Sequence, residues 1–235
     1  MPFRNNAFVR RLEKLVNLSP ADREILANLG TGGQLVGPGE DLINESRGPV
    51  GAILLLEGFA CRYRLGPKGD RQITDYLLPG DLAMLETSVG KKLDAIGAMT
   101  ASSVVNIPVK QVAELMSFPT IARALRTTTV VGEATVREWL VNMGRRSAEE
   151  RLAHLFCELN YRLEVVGKAS NGSFGLPLTQ FDIGDTVGLS YVHVNRTLQS
   201  LRRRNLIKLQ SKVLTILDFA ELKLLAGFNP YYLEG

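Results

Sequence analysis

Between Leu178 and Arg204 the chain reads LTQFDIGDTVGLSYVHVNRTLQSLRRR, two helical periodicities set end to end with room for only a short turn between them. Thr179 followed by Asp182 is a side-chain cap with its reciprocating acid, the mark of a helix start, and Ile183 and Val187 supply an apolar face at i and i+4. Gly184 lacks a Cβ and so permits a second helix to cross close by. Gly188-Leu189-Ser190 then gives a permissive turn residue, a buried plug and a new N-cap. The spacing predicts a helix, a tight turn and a second helix.

In that second helix Val194, Leu198 and Leu201 fall at i, i+4 and i+7, a stripe that must pack inward. The opposite side carries Val192, Arg196, Gln199 and Arg203, with His193 and Asn195 on its flanks and Ser190 and Tyr191 at its start. Apart from Val192 and the aromatic body of Tyr191, these are groups that base edges or phosphates can use: an arginine fork matches the two acceptors of guanine, and amides match adenine. A helical hairpin whose outer side is merely wet is the plain alternative. The next segment argues against it, because Leu206 to Leu209 and Val213 to Leu217 are short apolar runs around Gln210-Ser211-Lys212, a hairpin wing tipped with Lys212. Charge follows the same division: residues 145–212 hold eleven basic and six acidic side chains, whereas the whole chain is only +4. That asymmetry suits a phosphate-binding module attached to a neutral partner domain. The expected partner is double-stranded DNA.

Upstream, Ala7 to Val16 is a short helical pattern, and Ser19-Pro20-Ala21-Asp22 caps a helix reaching about Leu29. From Leu35 onward the apolar runs shorten and are punctuated by glycine and proline, as in Val50 to Leu56, Ala60 to Leu65, Gln72 to Leu78 and Ser103 to Val109. Gly66-Pro67-Lys68-Gly69-Asp70 reads as a hairpin turn, and the pattern predicts an antiparallel barrel or roll. From Pro119 to Met143 the period becomes helical, and Leu125, Thr129, Gly132, Val136, Trp139 and Met143 alternate by four and three as a pairing seam. Ser147-Ala148-Glu149-Glu150 caps the next helix, to about Leu163, and residues 166–175 read as a loop. The class is α+β, with an N-terminal β-roll domain and helices at 1–118, a long dimerisation helix and hinge at 119–144, and a C-terminal winged helix-turn-helix domain at 145–235.

Cys61 and Cys157 fall in different halves, which excludes a disulfide framework or a clustered cysteine metal site and suits a reducing cytoplasm. No apolar run is long enough to span a membrane, and MPFRNNAFVRRLEK lacks the apolar core of a signal peptide. The expectation is a soluble, cytoplasmic protein with no resident cofactor and no membrane partner. Catalysis is not expected either: G-x-S-x-G, H-E-x-x-H and P-loop motifs are all missing, and the two histidines, His154 and His193, fall inside predicted helices.

The order of roll, long helix, hinge, helix-turn-helix and wing resembles the Crp/Fnr family of bacterial transcription regulators, over nearly the whole chain. GLSYVHVNRTLQSLRRRNLI, GRRSAEERLAHLFCEL, EGFACRYRLGPKGDRQI and LLPGDL look especially like its rhizobial group. The resemblance implies a cyclic-nucleotide-binding-like jelly roll as sensor, a homodimer on a two-fold operator and a contact with RNA polymerase. It places the family's guanine-reading arginine on Arg196 and its helix-start hydroxyl on Ser190, and it puts Val192 where a glutamate is common, so the half-site should differ. Gly80-Asp81-Leu82 keeps the outline of the family's Gly-Glu-Leu. Lys92-Leu93-Asp94 falls where an arginine and a hydroxyl would grip a cyclic phosphate, replacing a planar fork with a point charge and adding an anion. A typical cyclic nucleotide is therefore not the expected effector. The family's iron-sulfur sensors use four cysteines against two here, and the spacing of His154 is that of a core or rim residue rather than a haem ligand. Two other functions fit parts of the sequence: a cyclic-nucleotide-responsive activator, and a β-roll that docks a small molecule or protein with DNA contact secondary.

Overall fold

The computed structural model describes residues 6–42, 50–85 and 95–235. They fall into two compact units, one of Met1–Arg64, Asp75–Glu133 and Glu234–Gly235, the other of Leu65–Thr74 and Ala134–Leu233.

The first unit begins with α1 (Ala7–Glu13) and α2 (Pro20–Leu29), the latter opened by the Ser19/Asp22 capping box. The strands follow: β1 (Gln34–Val36), β2 (Val50–Glu57), β3 (Ala60–Leu65), β4 (Arg71–Leu77), β5 (Leu82–Met84), β6 (Ala95–Ala98) and β7 (Ser102–Pro108). They form two sheets ordered β1-β7-β2-β5 and β4-β3-β6, and the registered pairs are antiparallel. Strand β2 explains the arrangement. Its side chains alternate faces, so Ile53 and Leu55 enter an apolar cluster with Val36, Leu42, Leu77, Ile96 and Val104, while Ala52 and Leu54 enter a second one. The second cluster is made by Phe8, Leu12, Leu26, Ile107, Ile121 and Leu125, from α1, α2, β7 and the start of the long helix. Both faces of β2 are covered, which is why it reads as an unbroken apolar run. The short helix α3 (Val109–Leu115), absent from the sequence expectation, leads into α4 (Pro119–Arg145).

Helix α4 corrects the expected seam. Leu125 and Trp139 are 2% and 6% exposed and point into the chain's own packing, so neither can face a partner. Thr129 and Val136 are exposed, Gly132 and Met143 half-buried. The exposed apolar side chains are Val130, Val136, Leu140 and Val141. An outward stripe of Thr129, Glu133, Val136 and Leu140 keeps the four-three spacing one position round from the expected phase.

In the second unit α5 (Ala148–Val165) is buried on almost every side and packs chiefly against α7 (Tyr191–Arg203) and α8 (Phe219–Ala226). Around α5 lies a buried polar cluster. Glu158, fully buried, accepts from Trp139 Nε1 (2.9 Å), Tyr232 Oη (2.7 Å) and Arg162 Nη1 (3.3 Å), which compensates the burial of its charge. Residues 166–175, expected as a loop, contain strands β8 (Ala169–Ser170) and β9 (Ser173–Gly175). With β10 (Ile207–Gln210) and β11 (Val213–Ile216) they make a four-stranded wing sheet in the order β10-β11-β9-β8. Tyr232 sits in a final 3₁₀ turn, Pro230–Leu233. The fold is therefore α+β, with an antiparallel β-roll, a long helix and a C-terminal winged helix-turn-helix.

Candidate nucleic-acid interface

The reading head is assembled from α6 (Gln180–Val187) and α7, both in the second unit. Thr179 Oγ1 accepts from the Asp182 backbone N–H (3.1 Å), and the Asp182 carboxylate accepts from Thr179 N–H (2.8 Å), completing the expected capping box. Gly188 ends α6 in the left-handed region (φ 67°), and Ser190 Oγ caps α7 by accepting from His193 N–H (3.3 Å). A Cβ on Gly184 would come within 2.5 Å of the Leu189 carbonyl oxygen, so the glycine is required by the turn backbone rather than by the crossing helix, and Leu189 itself is only half-buried. Arg151 of α5 donates to the Val187 carbonyl (3.1 Å) and the Arg146 carbonyl (2.9 Å), fastening the end of α6.

A second fastening comes from the hairpin segment Leu65–Thr74. Arg71 pairs with Asp182 and Asp185 of α6, and Gln72 Nε2 donates to the carbonyls of Asp185 (2.7 Å) and Thr186 (3.3 Å). Partial burial works against the Arg71 charge, but Asp185 and Asp182 outweigh it and leave its pKa raised. Asp182 thus caps its helix with one oxygen and holds Arg71 with the other.

Val194, Leu198 and Leu201 are buried as the stripe predicts, and Ser190, Tyr191, Val192, His193, Asn195, Arg196, Gln199 and Arg203 are all exposed. Among the described residues Arg196 and Arg203 make no hydrogen bond or ion pair, whereas their basic neighbours are committed. Arg202 donates to the Leu209 carbonyl (3.1 Å), and Arg204 pairs with Glu149 (2.9 Å) and Glu221 (3.4 Å), tying α7 to the starts of α5 and α8. An open groove lies between the start of α5 and the outer face of α7, where Val192, His193 and Arg196 line it opposite Ser147 and Glu149. Lys212 is exposed at the β10–β11 turn. The structure thus gathers the α7 residues on one face and sets Lys212 on the same unit's wing.

Two residues of α6 escaped sequence reasoning. Gln180 Oε1 accepts from Asn195 Nδ2 (3.2 Å), and the Phe181 ring stacks on Tyr191 with centroids 4.8 Å apart. The signal was present, since Phe181 is a large apolar residue off the Ile183/Val187 stripe.

In the first unit, Gly80-Asp81-Leu82 is welded into the roll. Asp81 pairs with Arg11 (2.9 Å) and accepts from Leu78 N–H (2.8 Å), Gly80 (φ 85°) lies so close to the Ala7 carbonyl that a Cβ would meet it at 2.5 Å, and Leu82 joins the core. Its carboxylate is thereby committed within the protein. Lys92, Leu93 and Asp94 lie outside the described residues. Among the described residues no group of His, Cys, Asp and Glu could hold a metal ion, and no helix is long and apolar enough to cross a membrane.

Comparison with known proteins agrees with this geometry. Residues 150–225 match the Crp-like helix-turn-helix domain. The nitrogen fixation regulation protein FixK of Bradyrhizobium diazoefficiens is 30% identical over 80% of this chain and 79% of its own length. The transcriptional activatory protein AadR of Rhodopseudomonas palustris is 30% identical over 89% and 87%. The structure of FixK2 from Bradyrhizobium japonicum superimposes with a TM-score of 0.73 at 25% identity, covering 84% of this chain and 98% of that one. The exposed recognition helix, the wing and these relatives together make the chain a member of the Crp/Fnr family of sequence-specific DNA-binding transcription regulators, of the rhizobial type.

Proposed function

We propose that the protein works as a homodimer, its two α7 helices entering successive major grooves of a two-fold operator. In this reading Arg196 makes the principal base contact, Arg203 and Lys212 neutralise phosphates, and the transcriptional output passes through RNA polymerase in the cytoplasm. The observation that carries the reading is the division of α7 into a sealed side of Val194, Leu198 and Leu201 and an open side whose two arginines have no protein partner among the described residues. An uncommitted guanidinium fork on a recognition helix is matched to the O6 and N7 acceptors of guanine. The β-roll then senses something other than a typical cyclic nucleotide, which the engagement of Asp81 by Arg11 supports.

Substituting Arg196→Ala tests the base contact. Its removal is expected to cost about 1–3 kcal/mol of discrimination, seen as lost preference for operator over random duplex with the oligomeric state intact. Equal weakening on both duplexes would remove Arg196 from base recognition.

A further inference from the structure

The outer edge of the reading head carries an apolar feature that core packing does not explain. Phe181 is 62% exposed, Tyr191 51% and Val192 42%, and none of the three belongs to the buried set of Ile183, Val187, Val194, Leu198 and Leu201 that holds α6 against α7. The Phe181 and Tyr191 rings stack at 4.8 Å with planes 29° apart, and the amide bond from Asn195 to Gln180 (3.2 Å) lies beside them. Tyr191 and Asn195 are one turn apart on α7, as are Val192 and Arg196, so two columns stand side by side on the exposed face. Each column begins with an apolar group and continues with a polar one.

Its surroundings narrow the occupant. The neighbouring cations Arg196 and Arg203 have no partner among the described residues, so the edge borders a surface complementary to a polyanion rather than to an apolar protein. Duplex DNA displays one apolar group in its major groove, the C5-methyl of thymine. We propose that Phe181, Tyr191 and Val192 form an apolar edge that receives thymine methyl groups next to the base pair addressed by Arg196, and that Gln180 orients Asn195 there. Two residues of α6, nominally the supporting helix, are then specificity determinants. The inference rests on the reading of α7 as the base-contacting helix.

The probe is a duplex selected by the wild-type protein from a random-sequence library, with each thymine replaced singly by deoxyuridine, which removes the methyl and leaves the pairing unchanged. At one or two thymines flanking the Arg196-dependent base pair, the wild type is expected to bind the uracil duplex about fourfold more weakly, the transfer value of one buried methyl group. Phe181→Ala and Tyr191→Ala are expected to bind the thymine duplex about that much more weakly and not to distinguish the two duplexes, with unchanged thermal midpoints; Phe181→Leu should restore the distinction. The proposal is overturned if no position senses the methyl. It is also overturned if both alanine variants keep full methyl sensitivity, in which case the ring pair serves only to join the helices or to meet a protein partner. Arg196→Ala on the same duplexes separates the two readings. Loss of its base preference while the methyl effect is missing sinks only the aromatic edge, whereas an unaltered preference sinks the placement of α7 as well.

Discussion

His154 shows how much of this molecule is settled by single buried side chains. It is fully buried on α5, its ring stacked 6.1 Å from that of Tyr232 and edge-on to Phe228 at 5.4 Å. Glu138 faces it from α4, Arg146 from the bend just after that helix, Glu158 from its own helix, and Tyr232 from the 3₁₀ turn. Burial pulls its pKa below the ordinary 6.5; Glu158 and Glu138 oppose this, Arg146 adds to it, and the net shift is downward. The consequence for stability has a definite sign. Above about pH 6.5 His154 is neutral in both folded and unfolded chains and costs nothing. As the pH falls below that value the unfolded chain takes up a proton that the folded chain resists, so stability declines toward the folded pKa, by at most about 1.4 kcal/mol per pH unit for one proton. Thermal unfolding followed from pH 7 to pH 5 should therefore show a falling midpoint, with a shallower slope in His154→Gln. If the variant keeps the wild-type slope, the acid sensitivity does not come from His154. The spacing of His154 in the sequence already pointed to a core or rim position. Its ring partners Phe228 and Tyr232 were not legible, because they lie more than seventy residues away in the chain and only packing brings them to α5. Cys157, one turn on, is an inert thiol by the same cause, its pKa pushed up to about 12 by burial.

The wing shows at the level of elements how a turn can run against local preference. Its sheet contains two tight hairpins with positive φ at both central residues, Asn171-Gly172 (50° and 70°) and Ser211-Lys212 (50° and 59°). The first pair is what such a turn favours. The second puts a long side chain in the left-handed region, at a cost of about 1–2 kcal/mol for a residue other than glycine. That cost makes sense if the charge at the wing tip is needed. Lys212→Gly should relieve the strain and remove the charge together, so the thermal midpoint holds or rises. Affinity should fall on all duplexes alike, and the slope of log affinity against log salt should shrink by about one. A slope equal to that of the wild type would take the tip out of phosphate contact. The β10–β11 hairpin was legible from its two short apolar runs around Gln210-Ser211-Lys212, but β8 and β9 were not, although Asn171-Gly172 is a strong hairpin signal. The two strands are too short to alternate, and their register is imposed by β11 through pairs such as Leu214 with Phe174. On α6 Phe181 stood off the apolar stripe in the sequence, but the α7 residues beside it and beside Gln180, namely Tyr191 and Asn195, were not legible there.

For the whole molecule the decisive element is α4, because it carries one buried stripe and one exposed stripe. Thr135, Trp139 and Asn142 are buried against the chain's own second unit, with Trp139 donating to Glu158 and Asn142 to the Arg151 carbonyl (3.4 Å). The other stripe, Thr129, Glu133, Val136 and Leu140, faces outward, and Leu140 is 67% exposed. A four-three periodicity was legible in the sequence, but its phase was not: apolar spacing records that a face is covered without recording whether the cover is the same chain or a second copy. Trp139, a member of the four-three series expected as the seam, belongs to the internal stripe. The two stripes give opposite experimental outcomes. Leu140→Glu places a charge in the outward seam without touching internal packing, so the folded units should survive with an unchanged thermal midpoint while sedimentation shifts toward monomer. Operator affinity should then fall by a factor of about 10² or more, because two linked half-site contacts become one. Trp139→Ala should do the reverse, leaving Glu158 short of a donor in a buried site and lowering the unfolding midpoint by the equivalent of about 3–5 kcal/mol, with dimer formation retained by whatever fraction stays folded. An undisturbed dimer in Leu140→Glu, at concentrations where the wild type is dimeric, would mean that the second copy docks on another face and that α4 serves its own chain alone.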